Sequence, residues 1–418
     1  MMPSLEPDGL GDLVSRHLAT VAAIGERPTG SGANRQAEAY VEEALRAAGC
    51  RVERLVFSCA DWRAGRVTCR CGGDDLFGVA NPYSPPCAVE AGIVAASTDV
   101  GLAALDAAGR IVVLHGALTA APWMPEEFPF YTDEVAQARV RLLRAMGPAA
   151  VITVSSREDF PVPVIIDGSF GIPSCTVGPV AGGCLLAHSG GPARLVIETV
   201  TRPVKAADVI GRIGGDEPCI VLSAHLDTKH FTPGALDNAT GLAVLLALAA
   251  RLAADPPCPL ELVCFNGEEQ YAAPGEVAYI EAGRLDPGRV RLAINLDGIG
   301  LAGYPASLAF FACPPPLESG AREVLASFSD LVEVDPWPAG DHMVFCMGGV
   351  PSMAVSSAVP PDALDAVLHT PVDTLDQVDV ALVARTARAV EALVRTAAPL
   401  LGLSASRPSR PGQRDRPE

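Results

Sequence analysis

Three apolar runs in the second half of the chain each end in a residue able to bind a metal, and this repetition constrains the fold more than any other feature. Cys219-Ile220-Val221-Leu222-Ser223-Ala224 leads into His225-Leu226-Asp227. Leu260-Glu261-Leu262-Val263-Cys264-Phe265 leads into Asn266-Gly267-Glu268-Glu269, and Leu292-Ala293-Ile294-Asn295-Leu296 leads into Asp297. Each run has the length and composition of a strand, and amphipathic helical stretches alternate with such runs beyond about Arg202. That pattern predicts an α/β fold with a largely parallel sheet. In open sheets of this kind ligands gather at the carboxyl ends of the strands, so His225, Glu269 and Asp297 are expected in one crevice.

Two further residues join the set only in company. Asp237, in Gly234-Ala235-Leu236-Asp237-Asn238-Ala239-Thr240-Gly241, precedes a long apolar run and taken alone reads as a helix N-cap. His369, in His369-Thr370-Pro371-Val372-Asp373-Thr374, falls in a turn-rich loop, where a lone histidine is more often structural. Together with the strand-end residues they make two imidazoles and three carboxylates, a set that suits two zinc ions with one carboxylate bridging. Three carboxylates and one hydroxide neutralise two divalent ions, so such a site is plausible even when partly buried. The neighbours Glu268 and Glu269 point in different directions in an extended segment, so one can ligate while the other faces the bound water. A carboxylate beside that water can take its proton and pass it to a leaving amine. Asp227, two residues after His225, is placed to hold the other ring nitrogen of that histidine or a neighbouring group.

The rest of the chain sets the frame. With 418 residues, 49% of them hydrophobic, it exceeds what one compact domain usually takes, and a second unit is expected. The first sixty residues read as two helices and a strand, the second helix spanning about Asn34 to Ala48 with Ala37, Val41, Leu45 and Ala48 on one face. Gly49 ends it and Arg51 to Phe57 follows as a strand. From Cys59 to Glu198 short β-type runs alternate with Gly and Pro clusters, with a helix-like stretch from Glu134 to Met146. This predicts a mainly β insert over 59–198, structural or substrate-shaping, interrupting a catalytic domain made of 1–58 and 199–404. The tail 405–418, rich in Pro, Arg and Ser, is too polar to fold and is expected to be disordered. Gly241 to Ala250 is too short to span a bilayer and reads as a buried helix, and Ala381 to Leu400 reads as a closing helix.

A formal charge of -18 argues against a nucleic-acid or anionic-membrane partner, since both need a basic face. Lys205 and Lys229 are the only lysines. The opening Met1 to Glu6 has neither a positive n-region nor an apolar h-region, so a cytoplasmic location is expected. The 12 cysteines are then expected to be reduced and mostly buried, and Cys69-x-Cys71, lacking a second pair at zinc-finger spacing, is not read as a metal site.

The motifs resemble metallopeptidase family twenty-eight, the zinc aminopeptidases and their glutamate carboxypeptidase relatives. The resemblance covers nearly the whole chain and is carried, in family order, by Ala224 to Asp227, Gly234 to Gly241, Asn266 to Glu269, Asn295-Leu296-Asp297-Gly298-Ile299-Gly300 and His369 to Thr374. It implies a zinc exopeptidase fold, a mixed and largely parallel sheet sandwiched by helices. It further implies that His225 and Asp297 bind one zinc, that Glu269 and His369 bind the other, that Asp237 bridges and that Glu268 is the general base. Arg27-Pro28-Thr29-Gly30-Ser31 resembles the family's opening motif. Asn81 to Pro86 and Gly171 to Val177 are similar to a protease-associated domain, an insert that often borders the substrate cleft. The implied substrate is a peptide or small amide, with release of an N-terminal residue the leading expectation. A carboxypeptidase would need Arg or Lys aimed at a substrate carboxylate, for which Arg284, Arg289 and Lys229 are the candidates. An amidase acting on a small metabolite or a cyclising transferase would share these motifs, whereas a non-catalytic binding protein would have lost ligands that are all present here.

Three stretches depart from the family pattern. Leu368 stands where many members have a Tyr that stabilises the tetrahedral oxyanion, so the donor must come from elsewhere, with Tyr271, Tyr304 and His342 as candidates. Gln270-Tyr271-Ala272-Ala273-Pro274-Gly275 replaces a Gly-Leu-Leu-Gly-Ser-like stretch of the specificity pocket. Gly340-Asp341-His342-Met343-Val344-Phe345 keeps Asp-His-x-x-Phe but has Gly where Ser is common, and is placed near the substrate.

Overall fold

The apolar runs that end in candidate ligands become neighbouring strands in the computed structural model, which describes residues 9–157, 159–215 and 218–404. Among these residues the strands are β1 (Arg51–Cys71), β2 (Asp74–Ala80), β3 (Cys87–Ala96), β4 (Ile111–Leu114), β5 (Ala150–Val154), β6 (Ser174–Val177), β7 (Pro192–Ile213), β8 (Cys219–His225), β9 (Leu260–Phe265), β10 (Val290–Leu296), β11 (Ala306–Phe311), β12 (Leu331–Glu333) and β13 (Ser352–Ser357). The order β1-β7-β9-β8-β10-β13-β11-β12 makes the larger sheet. Its centre, β9-β8-β10-β13, is parallel, and β7 and β11 flank it antiparallel, so the sheet is mixed.

Both faces of that centre are covered, which is why its strands read as continuous apolar runs. Alternate residues serve opposite sides. Ile220, Leu222, Leu262 and Ile294 meet the helices Leu10–Ile24, Thr240–Ala254 and Val380–Leu400 through Val14, Leu245 and Val390. Val221, Val263 and Ala293 meet Tyr279 and Phe345, from the helices Pro274–Glu281 and His342–Met347, on the other face. The expected buried helix 241–250 lies inside Thr240–Ala254, and the closing helix begins at Val380 with Asp379 accepting from the Leu382 N–H. The early helix runs Gly32–Ala47, capped by the Ser31 side chain, with Ala37, Val41 and Leu45 buried.

The predicted strand 51–57 is only the first third of β1, which continues to Cys71. The cause is long-range: β7 pairs with β1 from Arg51↔Arg212 to Cys71↔Ala193, holding polar and Gly-containing residues in a ladder that local pattern does not reveal. These two strands run through both units of the chain. In the second unit β1-β2-β6-β5-β4-β3-β7 returns to β1, closing a ring of seven strands around Trp62, Cys69, Ile93, Ile152, Cys175 and Leu195. The helix Glu134–Met146 packs outside that ring through Ala136, Val140 and Leu143. All 12 cysteines are free thiols, and Cys69 and Cys71 lie in the ring's apolar interior. The predicted tail 405–418 falls outside the described residues.

One buried cation ties the N-terminal segment to the sheet's carboxyl edge. Arg27 has 0% exposure. Its guanidinium donates to the carbonyls of Leu226 (2.8 Å), Gly25 (3.1 Å), Pro233 (3.1 Å) and Gly234 (2.9 Å), and its backbone N–H donates to Thr228 Oγ1 at 3.0 Å. Burial pulls its pKa down to about 10, and the nearby carboxylates of Asp237, Asp373 and Asp227 keep it charged. Arg27→Met strands those carbonyls and carboxylates, so it should lower unfolding free energy in urea by about 3–5 kcal/mol. A stability within 1 kcal/mol of wild type, on the order of measurement error, would show that the loops do not depend on this cation.

Candidate metal centre

Because β9, β8 and β10 are adjacent and parallel, their carboxyl ends open on one edge. His225 is the last residue of β8, and Asp297 directly follows β10, its N–H donating to the Val355 carbonyl at 3.0 Å. Glu268 and Glu269 follow β9 after Gly267, whose φ of +128° and a Pro274 carbon 2.7 Å from any added Cβ exclude other residues. Gly241 is required by proximity instead: a Cβ there would lie 2.1 Å from the Leu296 carbonyl oxygen. That approach brings the Asp237 loop against the end of β10.

Asp237 does not cap the helix that follows it. Asn238 does, with Oδ1 accepting from the Gly241 N–H at 2.9 Å, while its Nδ2 donates to the Leu296 carbonyl at 2.9 Å. The Asp237 carboxylate is thereby left for other partners. Asp373 holds this loop from the other side, accepting the N–H groups of Leu236 (2.6 Å) and Asp237 (3.1 Å). Since Asp373 lies four residues after His369, it ties the histidine's loop to the aspartate's.

The five predicted ligands come together in two groups that share Asp237. His225, Asp237 and Asp297 form one, and Asp237, Glu269 and His369 the other, the donor atoms in each lying within 4.8 Å of one another. His225 Nε2 is 3.0 Å from Asp237 Oδ1 and 3.5 Å from Asp297 Oδ1. His369 Nε2 is 3.2 Å from Asp237 Oδ2 and 3.1 Å from Glu269 Oε1. Each Asp237 oxygen thus faces a different imidazole.

This arrangement calls for positive charge. His225 Nδ1 lies 3.2 Å from the Asp227 carbonyl, which only accepts, so Nδ1 carries the proton and Nε2 turns to the carboxylates. A bare Nε2 lone pair facing two anions is repulsive, so the space between them suits a cation or a second ring proton. Burial lowers the His369 pKa, but Glu269 and Asp237 outweigh it and carry it up to about 9. His225 is likewise held well above its ordinary value, against its own burial, by Asp297, Asp227 and Asp237. Glu269 Oε1 is buried without a hydrogen-bond partner. The donor set, two imidazole nitrogens and three carboxylates with one carboxylate shared, fits two zinc ions.

Asp227 is fully buried and does more than face one histidine. One carboxylate oxygen sits 3.7 Å from His225 Nδ1, and the other accepts from Thr29 Oγ1 (2.8 Å) and from the Glu269 N–H (3.2 Å). Burial raises its pKa, but His225 and these donors hold it below the usual carboxylate value. It therefore joins the β8 end, the β9 end and the opening Arg27–Ser31 loop. Asn266 extends the same scaffold, donating to Asn34 Oδ1 (3.1 Å), Glu38 Oε1 (2.9 Å) and the Ala207 carbonyl (3.2 Å). Sequence reasoning gave Asn266, Asn34, Glu38 and Asp373 no role. The available signal was Asn34 and Glu38, one turn apart on the otherwise apolar face of Ala37, Val41 and Leu45.

Two cavities, of about 500 and 440 Å³, meet at this centre. Glu269, His369, Leu368 and Lys229 line both, as do Pro122 and Ile166 from the loops after β4 and β5. The smaller holds Glu268, Asp237 and Asp297 beneath Trp123, Phe128, Tyr131 and Trp337. Burial and the neighbouring Glu269 charge raise Glu268 well above an ordinary carboxylate. Of the residues singled out from sequence, Tyr271, Gly340 and His342 reach the smaller cavity, whereas Tyr304 packs against the main core. Arg284 and Arg289 pair with Glu53 and Glu261 and line neither cavity. Behind Gly340, Asp341 is 2% exposed with both carboxylate oxygens unpartnered. Burial and nearby Glu276 raise its pKa well above the ordinary value, and Glu276 itself is raised, chiefly by burial, to about 7.

Known proteins resemble the chain in sequence and in fold. The chain is similar to the probable lipoprotein aminopeptidase LpqL of Mycobacterium tuberculosis, 25% identical over 310 residues that make 68% of this chain and 58% of that one, less than two thirds of the relative's length. It is 23% identical to aminopeptidase YwaD of Bacillus subtilis over 373 residues, covering 85% of this chain and 78% of the relative. Among solved structures, BSAP, a zinc aminopeptidase from Bacillus subtilis, superposes with a TM-score of 0.75 at 20% identity over 93% of this chain and 95% of that one, which establishes a common fold. Residues 208–394, the segment that contains all five clustered residues, match the description Peptidase family M28.

Proposed function

We propose that this protein is a two-zinc aminopeptidase. The observation that carries the reading is Asp237, whose two oxygens face two imidazoles while Asp297 and Glu269 complete the groups on either side. His225 and Asp297 would hold one ion and Glu269 and His369 the other, with Asp237 shared between the two groups. Bound there, zinc polarises the scissile carbonyl and supplies hydroxide from water near neutral pH. The three relatives described above are named as aminopeptidases, in agreement with this assignment.

Glu268 shares the smaller cavity with Asp237 and Asp297 but stands in neither ligand group. Its carboxylate accepts the proton of the attacking water and returns it to the departing nitrogen, the service a raised carboxylate pKa favours. The cavity's aromatic wall takes the side chain next to the scissile bond and keeps water away from it. A free amino group suits the acidic floor. Lys229 is the one Lys or Arg lining this cavity among the described residues, and the other candidate cations for a substrate carboxylate, Arg284 and Arg289, pair with Glu53 and Glu261.

The protein should contain about two zinc ions per chain, and hydrolysis of leucine amide should vanish on chelation and return with zinc. A chain that stays metal-free in zinc, or hydrolyses equally well after chelation, contradicts the reading. Glu268→Gln should keep its metal while kcat falls by roughly 10²–10⁴-fold. Parallel loss of zinc would reassign the two glutamates. An N-acetylated substrate should be cleaved far more slowly than its free-amine counterpart, and equal rates would make the protein a general amidase. Asp373→Ala should weaken zinc binding by roughly 10–100-fold in a chelator competition, because the His369 and Asp237 loops lose their tie; unchanged affinity would show that the loops stand alone.

A further inference from the structure

Attack on an amide carbonyl moves the C=O electron pair onto oxygen, and that charge is stabilised best by a fixed donor already aimed at it. The sequence candidates for this donor do not fit equally. Tyr304 lines neither cavity. His342 places Nε2 3.0 Å from the Trp337 carbonyl, so its proton is committed there and Nδ1 is left an acceptor. Tyr271 reaches only the smaller cavity, its ring 4.7 Å from Tyr83 and its hydroxyl 2.6 Å from where a Gly168 Cβ would sit.

Lys229 is placed differently. It follows the end of β8 by four residues and lines both cavities at the seam with Glu269 and His369, so a carbonyl drawn to those clustered residues would lie beside it. Its Nζ donates to Glu269 Oε2, its one hydrogen-bond partner among the described residues. An ammonium has three N–H groups, so two are left for a group in the cavities. Leu368, at the same seam, offers no donor.

Building on the aminopeptidase reading, we propose that Lys229 is a catalytic residue that donates a hydrogen bond to the substrate oxyanion. The attacking oxygen bonds to the carbonyl carbon, the π pair moves to the carbonyl oxygen beside Lys229, and Glu268 holds the proton removed from water. On collapse the C=O bond re-forms, the C–N bond breaks and the nitrogen leaves with the proton from Glu268. Lys229 stays protonated throughout and exchanges no proton.

The test compares zinc-loaded wild type, Lys229→Met and Lys229→Arg, with metal content and thermal melting measured for each. Leucine amide and the dipeptide Leu-Gly serve as substrates, and 1-amino-3-methylbutylboronic acid is titrated calorimetrically as a tetrahedral mimic. Lys229→Met should keep wild-type zinc and KM while kcat falls on the order of 100-fold for both substrates. Affinity for the boronic acid should fall by a similar factor, and Lys229→Arg should recover part of both losses. Unchanged kcat and boronic-acid affinity overturn the proposal. So does a loss confined to Leu-Gly, which would make Lys229 an anchor for the product carboxylate, or a loss that tracks zinc, which would make it a support for Glu269. If wild type itself neither binds zinc nor hydrolyses leucine amide, the aminopeptidase reading fails and takes this proposal with it; a normal wild type beside an unaffected Lys229→Met overturns the proposal alone.

Discussion

Everything at the carboxyl edge of the larger sheet answers to one constraint, the crowding of Asp237, Glu269 and Asp297 into a space a few ångströms across with Glu268 alongside. Like charges about 4 Å apart repel by roughly 4 kcal/mol each at the effective dielectric of such a site. Zinc removes that repulsion when bound, but the backbone has to hold the groups in place regardless. It does so with buried charged groups set one layer back: Arg27 donates to the carbonyls of Leu226, Pro233 and Gly234, Asp373 accepts from the amides of Leu236 and Asp237, and Asp227 accepts from the amide of Glu269. The pKa directions express the same arrangement, with both imidazoles driven up and Glu268 driven up beside them.

The way the second unit joins the first follows from strand length. A domain hung on two flexible linkers would leave its loops free to wander, whereas β1 and β7 pass through both units as one continuous ladder. The loops after β4 and β5, through Pro122, Trp123, Phe128, Tyr131 and Ile166, then form walls of the cavity that holds Glu268. One of those walls, Trp123, belongs to a separate apolar core with Leu118, Val140 and Ile165, while the clustered acids and imidazoles stand at the edge of the larger sheet.

Division of labour among neighbours in sequence recurs at this edge. Glu269 enters a ligand group while Glu268 faces the cavity; Asp237 meets the imidazoles while Asn238 caps the helix; His369 points inward while Leu368 makes an apolar seam. In extended or irregular backbone successive side chains diverge, so adjacent residues take different jobs without competing. Lys229 adds a cation to an otherwise acidic floor.

Sequence alone determined the parallel centre of the sheet and the three strand-end residues, because strands buried on both faces must be apolar throughout and a polar residue at their end stands out. It also located the Glu134–Met146 and Val380–Leu400 helices, whose caps and periodicity are local. Asp237 and His369 were legible only as members of a set, since each alone has an ordinary reading as cap or loop. What tertiary structure decided is everything that depends on pairing across long separations. The extension of β1 to Cys71 is stabilised by β7, more than a hundred residues away, and no local pattern encodes it. The roles of Arg27, Asp373 and Asn266 come from backbone groups brought to them by folding, and a hydrogen bond to a carbonyl or amide leaves no mark on the residue type that offers it. Lys229 is one of two lysines in the chain, yet only the meeting of two cavities at its ammonium gives that residue a place in the chemistry.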